Sequence, residues 1–489
     1  MGGLAAELGA VARGDTRRRA GAWRAPTALV ALAAACGGGA GDTRSTSSAR
    51  ATVAASAGDV EPAASATGAP AAGTPAAVAP ACAPDNGGLT VPAGFCATIF
   101  ADSVGGARHI AVAANGDVFV ARSSPGRPRA GSESGQGARV GVLALRDSNG
   151  DGRADRQEVF GRAGGTGLAL APGWVYVDEG ARVVRYPVPA GRLTPTGEAE
   201  AIVTGLPTGG HEARNLLLDG RGALYVNVGS QSNACQQTDR QTGSPGADPC
   251  TELETRAGIW RFSAGRAGQA FTPAARYATG IRNAMGLAVD PRDGAMYATQ
   301  HGRDQLFQNW PQRFTAQQSA ELPAEELVRV RQGSDFGWPY CYYDPTQRKL
   351  VLAPEYGGDG KQVGRCAEKQ APVAAFPGHW APMSAAFYTG RQFPARYRDG
   401  VFVAFHGSWN RAPLPQAGFN VTFVPMRAGQ PAGASERFAD GFAGAQRLAN
   451  PGAAKHRPVG LAAAPDGGLY VTDDVGGRIW KIVYTGAGR

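Results

Sequence analysis

Apolar and polar residues alternate along most of the chain after about residue 88, in short runs broken by tight turns. One unit recurs. It is an apolar strand, an Asp/Asn-Gly or Pro-Gly turn, and a second strand ending in an aromatic-Val pair. The unit appears in "ARHIAVAANGDVFVAR", "GTGLALAPGWVYVDE", "ARNLLLDGRGALYVNVG", "AMGLAVDPRDGAMYATQ", "MSAAFYTGRQFPARYRDGVFVAFHG" and "PVGLAAAPDGGLYVTDD". A third strand follows each: "RVGVLALRD", "ARVVRYPV", "GIWRFS", "ELVRV", "NVTFVPM" and "RIWKIVY". Alternation, β-branched and aromatic residues and hairpin turns together predict strands. A strand trio cannot bury both of its faces alone, whereas radial stacking of six trios can, so the pattern predicts an all-β, six-bladed β-propeller. The early stretch "GFCATIFAD" supplies the outer strand of the last blade and closes the ring.

The propeller sorts residues by face. With strands lettered A to D from the axis outward, Asn115-Gly116, Asp219-Gly220, Asp293-Gly294, Asp399-Gly400 and Asp466-Gly467 are A–B turns on one face. Loops into A and out of B lie on the other. They carry all six histidines (His109, His211, His301, His379, His406 and His456) along with Arg214, Arg282, Asn283, Arg303, Asp304, Arg411, Lys455 and Arg457. A cationic, histidine-bearing mouth at a propeller axis suits an anionic ligand.

Composition agrees. Hydrophobic residues make up 43% of 489, with 71 glycines and 34 prolines, which favours short strands and turns over helix bundles. The formal charge of +9 comes almost wholly from arginine, with lysine only at 349, 361, 369, 455 and 481. No basic tract has interleaved aromatics, so nucleic acid is not an expected partner. Residues 1–36 read as an export signal: a basic start, a short apolar run and small residues before Cys36, in the manner of a lipoprotein signal. The expected locale is the periplasm or outer envelope, with membrane attachment only through a lipid on Cys36. Residues 37–85 are rich in Ala, Gly, Ser, Thr and Pro and read as a disordered tether, leaving 86–489 for the propeller. The six remaining cysteines allow fifteen pairings. In an exported chain, local pairs are expected: Cys82 with Cys96, Cys235 with Cys250, Cys341 with Cys366.

The segments "GGHEARNLLLDGRGALYVNVGSQSNAC", "TGIRNAMGLAVD", "HGRDQL", "DFGWPYCYY", "HWAPMSAAFYTGRQFP", "FHGSWNR" and "HRPVGLAAAPDGGLYVTDDVGGRIWKI" resemble the glucose/sorbosone dehydrogenase family, in this order and blade spacing. The resemblance covers about residues 86–485. It implies an exported propeller that uses pyrroloquinoline quinone (PQQ) and calcium to oxidise a sugar. It places His211 as catalytic base, and Arg282 and Asn283 as cofactor contacts. Lys455 and Arg457 become a basic pair on the cofactor's carboxylates, and the backbone carbonyls of Gly302 and Arg303 become calcium ligands. His379, Arg411 and Arg214 are expected to border the pocket. These residue types fit a tricarboxylate cofactor, because arginine forks suit carboxylates and a neutral imidazole can take the sugar's proton. Arg303 stands where some relatives have proline, and "QNWPQRFTAQQSAELPAEE" reads as an insertion beside the pocket.

A second motif, "DSNGDGRADRQE", matches the EF-hand loop template: Asp147, Asn149, Asp151, Asp155 and Glu158, with Gly152 at the sharp turn. Its flanks are strands, so it is either a structural calcium loop or a solvated Asx-rich hairpin on the face away from the mouth. Two other functions compete with the dehydrogenase: a calcium-dependent lactone hydrolase on the same fold, and a non-catalytic propeller binding glycans or a partner. No C-x-x-C-H haem site occurs, so electrons would leave to a separate acceptor.

Overall fold

A computed structural model describes residues 82–123, 141–161 and 165–486. The expected signal, Cys36 and most of the tether lie outside them. Six antiparallel sheets are arranged as expected for the propeller. Blade 1 runs Gly106–Val112, Val118–Ser123, Val142–Arg146 and Arg156–Phe160. Blade 2 runs Leu168–Ala171, Trp174–Asp178, Arg182–Pro187 and Glu200–Thr204. Blade 3 runs Leu216–Leu218, Ala223–Val228, Gly258–Ser263 and Arg276–Thr279. Blade 4 runs Leu287–Val289, Met296–Gln300, Glu325–Val330 and Ala374–Phe376. Blade 5 runs Pro382–Phe387, Gly400–Phe405, Asn420–Arg427 and Glu436–Ala439. In blade 6, Pro458–Ala463, Leu469–Asp473 and Ile479–Tyr484 are completed by Phe95–Ala101, with Phe95 opposite Tyr484.

The period-2 pattern shows its purpose in the packing. On the second strand of blade 1, Phe119 and Ala121 pack toward blade 2 with Val175 and Val177, while Val118 and Val120 pack toward blade 6 with Tyr470 and Ile479. The same division recurs at every blade junction, so alternate residues of one strand serve two different cores. Each junction buries what a lone blade would leave wet. All three local disulfides form. Cys82–Cys96 ties the segment before residue 86 to the closing strand, and Ala83 is already buried there.

Three details depart from simple repetition. Gln269–Ala270 pairs in parallel with the outer strand of blade 2, and Ser334–Asp335 with that of blade 3, so the C–D connection of one blade covers the edge of the previous one. The A–B connection of blade 5 occupies residues 388–399 rather than a two-residue turn. The insertion after residue 304 forms two short helices, Leu306–Asn309 and Ala316–Glu321, and the chain then adds a hairpin, Cys341–Asp344 with Lys349–Leu352. Among the described residues no helix is long and apolar enough to cross a membrane.

The EF-hand-like loop is the C–D connection of blade 1. Its polar groups are used locally. Asp147 accepts from the amides of Gly150 and Gly152, Asn149 from that of Asp151, and Asp151 from that of Arg153; Asp155 accepts from Ser148. Glu158 is exposed on the outer strand. Among the described residues no three acidic, His or Cys side chains converge as a metal-binding group.

Candidate active site

The axis is closed beneath the mouth. Met285, Met383 and Val459 come from the inner strands of blades 4, 5 and 6 or the loops entering them, and they form a buried apolar plug. His109, on the inner strand of blade 1, lies in the same layer. Its Nδ1 is 2.7 Å from the Thr166 carbonyl and its Nε2 2.9 Å from that of Met383, so it is a structural histidine spanning the channel. Burial lowers its pKa. Above this floor, polar groups gather around two carboxylates.

The first is Asp304, in the loop leaving the second strand of blade 4. Arg282 Nη2 donates to it at 2.9 Å, Arg240 Nη2 lies at 3.4 Å, Asn410 Nδ2 donates at 2.8 Å, and His379 Nδ1 is 3.7 Å away. Burial works against its charge, but Arg282, His379 and Arg240 outweigh it and hold the carboxyl well below its ordinary range. Asn233 knits this group together. Its Oδ1 accepts from Arg282 and from the Asp304 amide, its Nδ2 donates to the Asp304 carbonyl, and its own carbonyl accepts from Arg282 and from Trp338 Nε1. The Cys235–Cys250 bridge pins the loop that carries Asn233, and Trp338 packs against that bridge.

His211 stands beside this cluster. Its Nδ1 is 3.0 Å from the Ser230 carbonyl and 2.9 Å from Ser230 Oγ, whose own proton goes to the Ser232 carbonyl at 2.6 Å. Both neighbours of Nδ1 are therefore acceptors, so Nδ1 carries the proton and Nε2 keeps its lone pair. Burial first, and the Arg282 charge second, hold the imidazole well below the usual histidine range near 6.5, so it is neutral.

The second carboxylate is Asp474, in the loop leaving the second strand of blade 6. Arg108 pairs with it, and His406 Nε2 lies 2.8 Å from it. Its pKa is lowered: burial opposes, but His406 and Arg108 prevail. Arg457, mostly buried, donates to the carbonyls of His406 and Gly407. Arg108, Asn233, Asp304 and Asp474 are the groups that sequence reasoning left off its site. Arg108 precedes His109, Asp304 sits inside "HGRD" and Asp474 inside "VTDD"; only proximity to those motifs could have flagged them.

The expected residues fall into three groups. His211, Arg282 and His379 come together around Asp304, Asn283 Oδ1 flanks Gly229 together with His211, and Arg457 lies with the Asp474 group. Asn283 Oδ1 is buried without a hydrogen bond, as is Arg108 Nε. Arg411 donates to the carbonyls of Gly378 and Pro415 and so braces the loop that carries His379. Two expectations need correction. Arg214 is fully buried and donates to the carbonyls of Gly180, Asn227 and Pro207, with Asp178 at 3.8 Å; it braces blade 2 against blade 3 and does not border the mouth. Lys455 is exposed, with its stem along Gly444 in the blade 5–6 connection, and it is not paired with Arg457. The physical reasons differ: Arg214 is drawn inward by backbone carbonyls of two blades that need a donor, whereas the Lys455 stem lies along the surface with its charge in water.

Arg303 turns its side chain away from the axis into a buried bidentate pair with Glu355, which also accepts from Trp310 Nε1 at 2.8 Å. This pins the Gly302–Asp304 loop from behind. The carbonyls of Gly302 and Arg303 accept no hydrogen bond among the described residues. Beside this loop lies a small cavity whose lining includes Arg282, Gln300, Gly302, Glu326 and Tyr342. Glu326 is buried, accepts from Gln300 Nε2 at 3.0 Å, and is pushed up to about 8 by burial. Its folded-state pKa exceeds the ordinary 4.5, so the stability it contributes is present below pH 4.5 and is lost as pH rises toward 8. Glu326→Gln is expected to raise the melting temperature at pH 8 and leave it unchanged at pH 4, which circular-dichroism melts at the two pH values measure.

The TrAA12-like family model matches residues 89–485, nearly the whole described propeller. The chain belongs to the TrAA12-like family. Among curated relatives, a pyrroloquinoline quinone-dependent pyranose dehydrogenase of Coprinopsis cinerea is 27% identical over 234 residues, covering 42% of this chain and 30% of that protein. The aldose sugar dehydrogenase YliI of Escherichia coli is 23% identical over 211 residues, 40% of this chain and 46% of that one. The matched stretches thus span less than half the length of these relatives. Among solved structures, the Trichoderma reesei carbohydrate-active enzyme of family AA12 superposes with a TM-score of 0.65 at 18% identity, covering 81% of this chain and 98% of that one. The holo PQQ domain of the Coprinopsis cinerea pyranose dehydrogenase does so with a TM-score of 0.65 at 21% identity, covering 84% and 99%. At these identities the superpositions establish a shared fold, and they place this TrAA12-like chain beside the enzymes that its sequence resembles.

Proposed function

We propose that this chain is an exported dehydrogenase that oxidises an aldose or a sugar aldehyde, with His211 as general base and with PQQ and calcium at the mouth. The observation that carries this reading is His211 itself. It is neutral, its Nδ1 is committed to Ser230, and its Nε2 lone pair is free beside a set of buried arginines.

The donor set fits the cofactor. Arg282 of blade 4 is buried beside Asp304, Arg108 and Arg457 of blades 1 and 6 are buried beside Asp474, and guanidinium forks match carboxylates. The unpartnered Asn283 Oδ1 and Arg108 Nε are a buried acceptor and a buried donor of the kind a polar ligand completes. The free carbonyls of Gly302 and Arg303 are hard oxygen ligands, the type calcium prefers. When bound, the quinone supplies the hydride acceptor and the metal polarises it. His211 takes the proton of the sugar hydroxyl, or of the hydrated aldehyde, on Nε2, and Ser230 holds the ring while it does so. The Met285–Met383–Val459 floor keeps water from reaching the site along the axis.

The activities for which the relatives are named, PQQ-dependent pyranose dehydrogenation in one and aldose sugar dehydrogenation in the other, support this reading. So do the three disulfides, which suit an oxidising compartment and with it export through residues 1–36, with or without a lipid on Cys36. The electrons then pass to a separate acceptor. A calcium-dependent lactonase is disfavoured because it needs acidic side chains converging on an axial metal, and among the described residues no three His, Cys, Asp or Glu side chains gather in that way. The deciding experiment adds PQQ and calcium to purified apo-protein with a dye acceptor and a panel of aldoses. Dye reduction that depends on PQQ is expected; no turnover and no cofactor absorbance would overturn the reading.

A further inference from the structure

We propose that Trp409 is the platform on which the substrate's sugar ring stacks, and so a determinant of which sugar is accepted. The inference rests on the dehydrogenase reading above and adds the position of the substrate within it.

Trp409 differs from the other described tryptophans in having no structural employment. Trp260 and Trp480 are fully buried in junction cores, Trp338 and Trp310 donate to Asn233 and Glu355, Trp174 lies under Arg185, and Trp380 packs on Phe405. Trp409 is half-buried and belongs to no apolar cluster. It makes no ring contact, and its indole N–H has no hydrogen bond among the described residues. A partly exposed tryptophan with neither a ring contact nor an indole hydrogen bond of its own, held on a braced segment, offers the amphipathic surface that binding sites favour.

The segment is rigid, and it spans the site. The amides of His406, Gly407 and Ser408 donate to the carbonyls of Ala381, Trp380 and Ala417 at 3.0, 2.9 and 2.8 Å. Three residues before Trp409, His406 binds Asp474; one residue after it, Asn410 Nδ2 binds Asp304 at 2.8 Å. The indole is therefore carried on a strap whose two ends are tied to the two carboxylates around which the mouth is built. A neighbouring feature suits a sugar. Asn410, the next residue along the strap, has its Oδ1 buried without a partner, able to accept from a hydroxyl.

A pyranose offers this combination: an apolar face of ring C–H groups with hydroxyls at its edge. The tricarboxylate cofactor needs cations, which lie buried among the blade loops, whereas Trp409 is neutral and only half-covered. The geometry thus divides the mouth into a charged inner part and an apolar aromatic rim.

The test uses the PQQ- and calcium-loaded protein and its variants Trp409→Phe and Trp409→Ala. Titration of wild type with 1,5-anhydroglucitol, which carries no oxidisable anomeric hydroxyl, should change tryptophan emission, and the change should vanish in both variants. Trp409→Ala should raise KM for the preferred aldose ~10-fold, the equivalent of ~1.4 kcal/mol, with kcat nearly unchanged. Trp409→Phe should keep most of the affinity, and neither variant should shift the melting temperature. Emission that responds to PQQ but not to sugar, an unchanged KM in Trp409→Ala, or a lowered melting temperature would overturn the proposal. If no aldose is turned over, the dehydrogenase reading fails, and sugar titration of the apo-protein decides the platform by the same emission criterion.

Discussion

His211→Ala is expected to lower kcat for the preferred aldose by ~10²–10⁴-fold while the protein still binds PQQ. The argument is geometric. Nδ1 faces only acceptors on Ser230, so its proton stays there and the lone pair of Nε2 is the proton acceptor. His109 spends both ring nitrogens on carbonyls, and His406 and His456 are tied to Asp474 and Asp473, whereas His301 and His379, like His211, give one ring nitrogen to a carbonyl; of these three, only His211 also has a hydroxyl, that of Ser230, on its committed nitrogen. Burial and Arg282 keep His211 deprotonated well below pH 6.5. The wild-type kcat/KM profile should therefore stay level as pH falls through the ordinary histidine range and drop only at distinctly lower pH. Steady-state kinetics across pH, with cofactor absorbance as the control for binding, check both parts. Full turnover in the alanine variant would place the base elsewhere.

Glu355→Ala is expected to destabilise the protein by about 3–5 kcal/mol, the typical cost of removing one partner from a buried ion pair. The pair is almost entirely hidden, with side-chain exposures of 3% and 0% for Arg303 and Glu355. The substitution strands a buried guanidinium and deprives Trp310 Nε1 of its acceptor as well. Urea unfolding followed by fluorescence measures the loss. The double substitution Arg303→Met with Glu355→Leu removes both charges together and should recover much of it, because desolvation of a paired charge offsets most of its attraction. The same side chains anchor the Gly302–Asp304 loop, so both variants should also bind calcium and PQQ more weakly than the wild type.

The glutamate pair on the third strand of blade 4 illustrates what motif reading passes over. Glu325 and Glu326 look like ordinary surface charges in "LPAEELVRV", yet both are buried, and burial pushes each to about 8. Their neighbours explain this. Glu325 accepts from the Gly302 amide in the loop just past the neighbouring strand, and Glu326 from Gln300, its partner directly across the sheet. Local sequence carries no sign of such a contact. Asn233 is a similar case. It stands 71 positions from Asp304, and Arg108 stands 366 positions from Asp474.

Strand periodicity alone determined the blade count, the ring closure by Phe95–Ala101 and the face whose loops carry five of the six histidines; His109, expected there too, falls within the inner strand of blade 1. A strand with both faces apolar must be covered on both sides, and six such trios leave radial stacking as the solution. The local disulfides followed from cysteine spacing and compartment for a comparable reason: short loops bring their own ends together. Tertiary structure decided which groups on that face point inward. Arg214 and Lys455 lie in loops of the same kind as Arg282 and Arg457, yet one is swallowed between blades and the other lies along the surface. The outcome depends on hydrogen bonds between loops of different blades, such as those that tie Asn233 and Asn410 to Asp304 of "HGRD". Those partners are distant in the chain, and only the folded ring brings them within reach.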